Sequence, residues 1–136
     1  MEAGQDDYGR VMTPEDVDHL ARTLPGTAME HPFGPGANVY KVAGKVFAIM
    51  VPSDEPPRVT LKCDPALALE LRAQFPGVIP GYHTNKRHWN TVSLDGSVPA
   101  EEIDDMVRHS WEQVVRGLPK AVRAKLTSPS DGGTTR

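Results

Sequence analysis

The stretch Asn38-Val39-Tyr40-Lys41-Val42-Ala43-Gly44-Lys45-Val46-Phe47-Ala48-Ile49-Met50-Val51 is the most informative in the chain. Two runs rich in β-branched and aromatic residues flank Ala43-Gly44, and Gly44 accepts a positive φ without steric cost. Two residues between such runs is the spacing of a tight antiparallel hairpin, with strands over Asn38 to Val42 and Lys45 to Val51. On the amino-terminal side, Thr27 to His31 reads as a short strand, separated from the hairpin by the loop Pro32-Phe33-Gly34-Pro35-Gly36. On the other side, Pro52 to Pro57 is a polar loop. Arg58 to Lys62 then alternates polar and apolar side chains and joins the same sheet.

Helices bracket these strands. Thr13-Pro14-Glu15-Asp16 carries a capping residue, a proline suited to the first helical position and an acid where a capping box needs one. Val17, Leu20, Ala21 and Leu24 follow at helical spacing until Pro25-Gly26. Asp64-Pro65 repeats the start signal, with Leu67, Leu71 and Phe75 one turn apart before Pro76-Gly77. After Val78 to Tyr82 and a polar stretch, His88 to Leu94 is another strand, closed by Asp95-Gly96. From about Pro99, the residues Ile103, Met106, Val107, Trp111, Val114, Val115 and Leu118 hold a period of about 3.6, the longest such run in the chain. The order α-β-β-β-β-α-β-α predicts a two-layer α+β domain, its mainly antiparallel sheet covered by helices on one side and polar on the other. Residues 1–12 read as a flexible arm, 13–125 as a single domain with a short basic coda, and 126–136 as a disordered tail.

The chain has 136 residues, 38% hydrophobic and 24% charged, enough for one core-bearing domain. Thirteen prolines and twelve glycines favour short elements. No apolar run is long enough for a bilayer and no leader opens the chain, so no membrane association is expected. Cys63 is the single cysteine, which excludes an internal disulfide and a structural zinc site and points to the cytoplasm.

The net charge of −3 opposes bulk attraction to nucleic acid, but its distribution is uneven. Acids dominate residues 1–30, whereas Lys41, Lys45, Arg58, Lys62, Arg72, Lys86 and Arg87 populate residues 38–90 and a further basic group follows residue 106. Lys41 and Lys45 lie on facing hairpin strands, so a positive ridge is available there. The segment Gly81-Tyr82-His83-Thr84-Asn85-Lys86-Arg87-His88-Trp89 concentrates phosphate donors, stacking faces and two imidazoles. A purely structural role, with Tyr82 and Trp89 anchoring a solvated loop, accounts for it equally. His83 and His88 lack the geometry of a metal pair, so no metal is expected. Cys63 lacks an evident base, the acids at 101–105 suit a helix start, and His109 and Ser110 diverge on one helix. No catalytic set emerges, and no enzyme activity is expected.

Taken together, Val39-Tyr40-Lys41-Val42, Gly44-Lys45-Val46-Phe47-Ala48, Val59-Thr60-Leu61-Lys62-Cys63-Asp64-Pro65, Pro80-Gly81-Tyr82-His83 and Asn85-Lys86-Arg87-His88-Trp89 resemble the small bacterial MmcQ/YjbR family, from about Thr13 to Lys125. The resemblance implies a CyaY-like α+β fold with a curved antiparallel sheet, and no cofactor. It also implies two readings of function. In the first, the protein binds DNA through double-wing-like loops, with Lys41, Lys45, Lys86 and Arg87 on phosphates and His83, Asn85 and His88 adding polar contacts. In the second, resembling type III secretion chaperones, a monomer receives a protein partner on the open sheet face. A small-ligand pocket at Tyr82, His83, His88 and Trp89 is a third, lesser reading.

Overall fold

The computed structural model describes residues 11–81 and 84–127. The elements run α1 (Pro14–Thr23), β1 (Thr27–Glu30), β2 (Asn38–Val42), β3 (Lys45–Val51), β4 (Arg58–Lys62), α2 (Pro65–Gln74), β5 (Val78–Pro80), β6 (Trp89–Ser93), α3 (Ala100–Arg116) and α4 (Lys120–Thr127). This is the expected order with two additions, a three-residue strand at Val78–Pro80 and a helix where the basic coda was expected. The six strands form one antiparallel sheet in the order β1-β2-β3-β4-β6-β5.

Local chemistry explains the boundaries. Thr13 and Asp16 exchange side-chain-to-backbone hydrogen bonds at 3.1 Å, completing the capping box of α1. Asp64 Oδ2 accepts the Leu67 N–H at 3.1 Å and caps α2. The β2–β3 turn places both Ala43 (φ 51°) and Gly44 (φ 80°) in the left-handed region, as a type I′ hairpin requires. The outer sheet edges are short: β1 has four residues, and β5 has three, one of them Pro80.

The register shifts between Tyr40 and Lys41, where Phe47 is the extra residue on β3. The bulge turns Phe47 and Ala48 toward the same side, and both are fully buried. Tyr40, Ala48, Met50, Leu61, Asn90 and Val92 face the helices by register and parity. Core residues of α3 include Ile103, Val107 and Trp111, whose indole N–H donates to the Pro25 carbonyl at 3.0 Å. Tyr40 donates its hydroxyl to Asp18 of α1 at 2.6 Å. The core also reaches Met12, at the end of the expected arm, and Leu126, at the start of the expected tail.

One joint ties the layers together. Pairing between β3 and β4 ends at Ala48–Leu61, and the next rung would join Phe47 to Lys62. The hydroxyl of Ser110 stands in that rung: it accepts the Lys62 N–H at 2.8 Å and donates to the Phe47 carbonyl. Ser110 is fully buried, so neither strand group has water as a substitute. Replacing Ser110 by Ala strands a buried donor and a buried acceptor. Chemical denaturation of S110A is expected to show a loss of about 2–4 kcal/mol, against near-neutrality for an exposed-site control such as E101A.

Candidate functional site

The hairpin turn and the segment preceding β6 leave the sheet at the same end, because Ala48 of β3, Leu61 of β4 and Asn90 of β6 are aligned in successive antiparallel pairs. The expected cations, however, do not converge on one face. Lys41 pairs with Val46 and shares the open face with Val39, whereas Lys45 pairs with the core residue Val42. Directly opposed residues share a face and neighbours along a strand alternate, so Lys41 and Lys45 emerge on opposite sides. The positive ridge is therefore not formed. Lys41 is also held by Glu30 at 2.9 Å.

The second expected cluster is braced from within. Arg72 of α2 donates through Nε to Asn90 Oδ1 at 2.7 Å and through Nη2 to the carbonyls of Trp89 (3.3 Å) and Lys86. Asn85 accepts from the Arg87 N–H at 3.0 Å and, through its carbonyl, from the His88 N–H at 3.1 Å. Lys86 sends its ammonium to the Gly81 carbonyl at 3.2 Å. A Cβ at Gly81 would lie 2.6 Å from the Trp89 Cβ, so only glycine fits that approach. The half-buried His88 serves as a backbone anchor, its carbonyl accepting the Cys63 N–H at 2.8 Å. Arg87 and Lys45 are exposed and, among the described residues, have no ion-pair partner. His83 and Tyr82 lie outside the described residues.

His109 and Ser110, adjacent on α3, catch alternate backbone amides of one segment. Ser110 takes Lys62 N–H, and His109 Nε2 accepts Asp64 N–H at 3.2 Å. His109 is thus the neutral tautomer with its proton on Nδ1. Burial pushes the Cys63 thiol up to about 11, with the Asp64 charge adding to the effect and Arg72 opposing it. That thiol stays protonated at neutral pH and is a poor nucleophile. Among the described residues, no three His, Cys, Asp or Glu side chains gather as metal ligands, and no helix is long and apolar enough to cross a membrane.

The residues that the sequence reading missed lie on the sheet face that no helix covers among the described residues. It was expected to be polar, yet Val39, Val46, Ile49, Val51 and Ile79 project from it by parity. A hollow of about 490 Å³ opens there, lined by Phe33, Ile49, Val51, Arg58, Thr60 and Thr91. Its floor is the buried pair Thr60–Thr91, whose hydroxyls hydrogen-bond to one another at 2.9 Å. Phe33 stands at the rim with 76% of its surface exposed, and Arg58 and Asp54 pair at 3.4 Å beside it. The available signal was Val46 to Val51, an unbroken apolar run instead of an alternation, which marks a strand with apolar surroundings on both faces.

The YjbR family model matches residues 22–113. The chain is 36% identical over 106 residues to the uncharacterised protein YbdF of Escherichia coli O157:H7, covering 78% of this chain and 87% of that one. It is 42% identical over 90 residues to the uncharacterised protein YjbR of Escherichia coli K12, covering 66% and 76%. Among solved structures, it is similar to a Deinococcus radiodurans protein with a DUF419 domain (TM-score 0.79, 38% identity, 84% and 87% covered). A Pseudomonas syringae protein is also similar (TM-score 0.66, 28% identity, 75% and 98% covered).

The His109 contact has a pH signature. Burial, aided by Arg116 and opposed by Glu112 and Asp64, holds its imidazole below the ordinary value. The unfolded chain therefore protonates first as pH falls through about 6.5, and stability declines from there toward the lower folded value. In urea melts between about pH 7 and about pH 5, H109Q keeps an acceptor for Asp64 but does not titrate, and is expected to show a shallower decline than the parent.

Proposed function

The chain belongs to the YjbR family, and from that premise we propose that it is a non-catalytic recognition domain that seats an apolar segment of a partner protein on the open face of its sheet. The observation that carries this reading is the hollow floored by Thr60 and Thr91 and walled by Ile49, Val51 and Phe33. Apolar side chains inserted there leave water without displacing any helix, and a concave, half-desolvated pocket is where binding energy concentrates. The rim offers the Arg58–Asp54 pair to orient the backbone of an incoming segment. The absence of catalysis in this reading is supported by the protonated Cys63 thiol and by His109, whose Nε2 lone pair is already committed to Asp64. A photo-crosslinking amino acid at position 49 is expected to capture protein in living cells, resistant to nuclease, and one at the exposed helix position 101 is not. Ile49→Lys, tested by competition against the crosslinking variant, should weaken capture at least tenfold while the thermal midpoint moves by only a few degrees. Equal capture at positions 49 and 101, or capture that nuclease abolishes, defeats this reading.

Nucleic-acid binding has its own support in one observation: the Ala43-Gly44 turn and the 84–88 segment share a sheet end that exposes Lys45, Lys86 and Arg87. Three phosphate contacts would give a slope of about −2.7 in log K against log salt. A labelled duplex titrated at several salt concentrations should show that slope for the parent and one near zero for K45A/K86A/R87A. Lack of binding at low salt removes this second reading.

A further inference from the structure

On the helix side of the sheet, α2 covers β5 and β6 while α3 covers β3 and β4, leaving a furrow between the two helices. The furrow has a volume of about 300 Å³, and its walls include Leu61, Cys63, Leu67, Leu71, Val92 and Met106. Apart from the half-buried Leu67, each of these is at most 8% exposed, so the walls are core side chains. Two carboxylates stand at the mouth of this slot, while the neighbouring cations are engaged elsewhere: Arg72, near Cys63, is bonded to Asn90, and Arg108 is held by Asp104. The carboxylates are Glu102 and Asp105, one turn apart on α3, and neither is in an ion pair among the described residues. Lys62 also borders the slot, but its side chain leaves from the other face of the sheet by parity with Thr60. His109, the next residue along the same helical stripe, is neutral at the mouth and adds no positive charge.

We propose that this slot binds a small amphiphile made of an unbranched alkyl chain and a cationic amine head, the chain between α2 and α3 and the ammonium at Glu102 and Asp105. A cavity of about 150 Å³ holds a benzene ring, so twice that volume accommodates a chain of roughly six to eight carbons. Apolar burial sets the affinity ladder, a rise of roughly threefold to fourfold for each added methylene until the slot is full. The carboxylates set the choice of head group, since an anionic head would face two negative charges. The site is on the opposite side of the sheet from the face assigned to a protein partner, so the two readings succeed or fail independently.

The test is a two-dimensional amide NMR titration of the full chain with n-hexylamine, n-octylamine, octanoate and octanol, all below their micellar concentrations. The expected result is shifts confined to residues around Leu67, Leu71 and Met106, with octylamine tighter than hexylamine and at least tenfold tighter than octanoate. E102Q/D105N, at surface positions, is expected to lower octylamine affinity at least fivefold and leave octanol unchanged. Met106→Trp is expected to fill the slot and abolish binding of every probe. Absence of binding, equal affinity for octylamine and octanoate, or shifts that map to Ile49 and Thr91 would each overturn the proposal.

Discussion

The hydroxyl of Ser110, placed where β3 and β4 cease to pair, is the contact on which the two layers depend. A bulged strand has a carbonyl that its neighbour no longer reaches, and a strand about to become a helix has amides with no ladder ahead of them. Ser110 answers the Phe47 carbonyl and the Lys62 amide together, His109 answers the Asp64 amide, and the His88 carbonyl answers that of Cys63 between them. The chain thus leaves the sheet and enters α2 with every one of those three amides satisfied. The position of α2, and with it the width of the furrow beside α3, follows from that segment being fixed.

The same constraint separates the two faces chemically. Helices are needed only where the sheet carries its largest side chains, and the bulge sends Phe47 together with Ala48 to that side. The opposite face retains medium-sized apolar residues around a threonine pair, too small to demand another layer and too apolar to be indifferent to one. Charges on this face are at the margins and partly self-neutralised, as in Lys41 with Glu30 and Arg58 with Asp54. In the proposed reading, this arrangement supports selective contact with a protein partner over broad attraction to a polyanion.

Elements with local causes were readable from the residues alone. The hairpin turn at Ala43-Gly44, the caps at Thr13 and Asp64 and the stripe of α3 each depend on chemistry within one or two turns of chain. The family resemblance was readable for the same reason, since its motifs are the glycine, cap and strand residues that build this frame. What escaped was set by register. A bulge at Phe47 turns it to the same side as Ala48, and no count of alternating residues reveals it; the opposition of Lys41 and Lys45, in contrast, follows from the two-residue turn itself, which sets Lys45 across from Val42. The cluster from Asn85 to His88 looked like a recognition loop because its side chains are polar, but part of it serves the backbone: Arg72 of α2 takes the Lys86 carbonyl, Lys86 reaches the Gly81 carbonyl and Asn85 holds the Arg87 N–H. Val78 to Pro80 was too brief, and the residues after Lys120 too weakly patterned, for periodicity to identify them.

The truncated margins of the sheet carry a consequence for how this molecule meets others. A four-residue border strand on one flank, and on the other a three-residue strand whose proline lacks an amide hydrogen, offer few free rungs for a foreign strand to lengthen the sheet. Fibril-like stacking and strand donation find little backbone to pair with at these edges, and in the proposed reading it is the side chains on the broad flat of the sheet, not backbone ladders, that choose who is admitted.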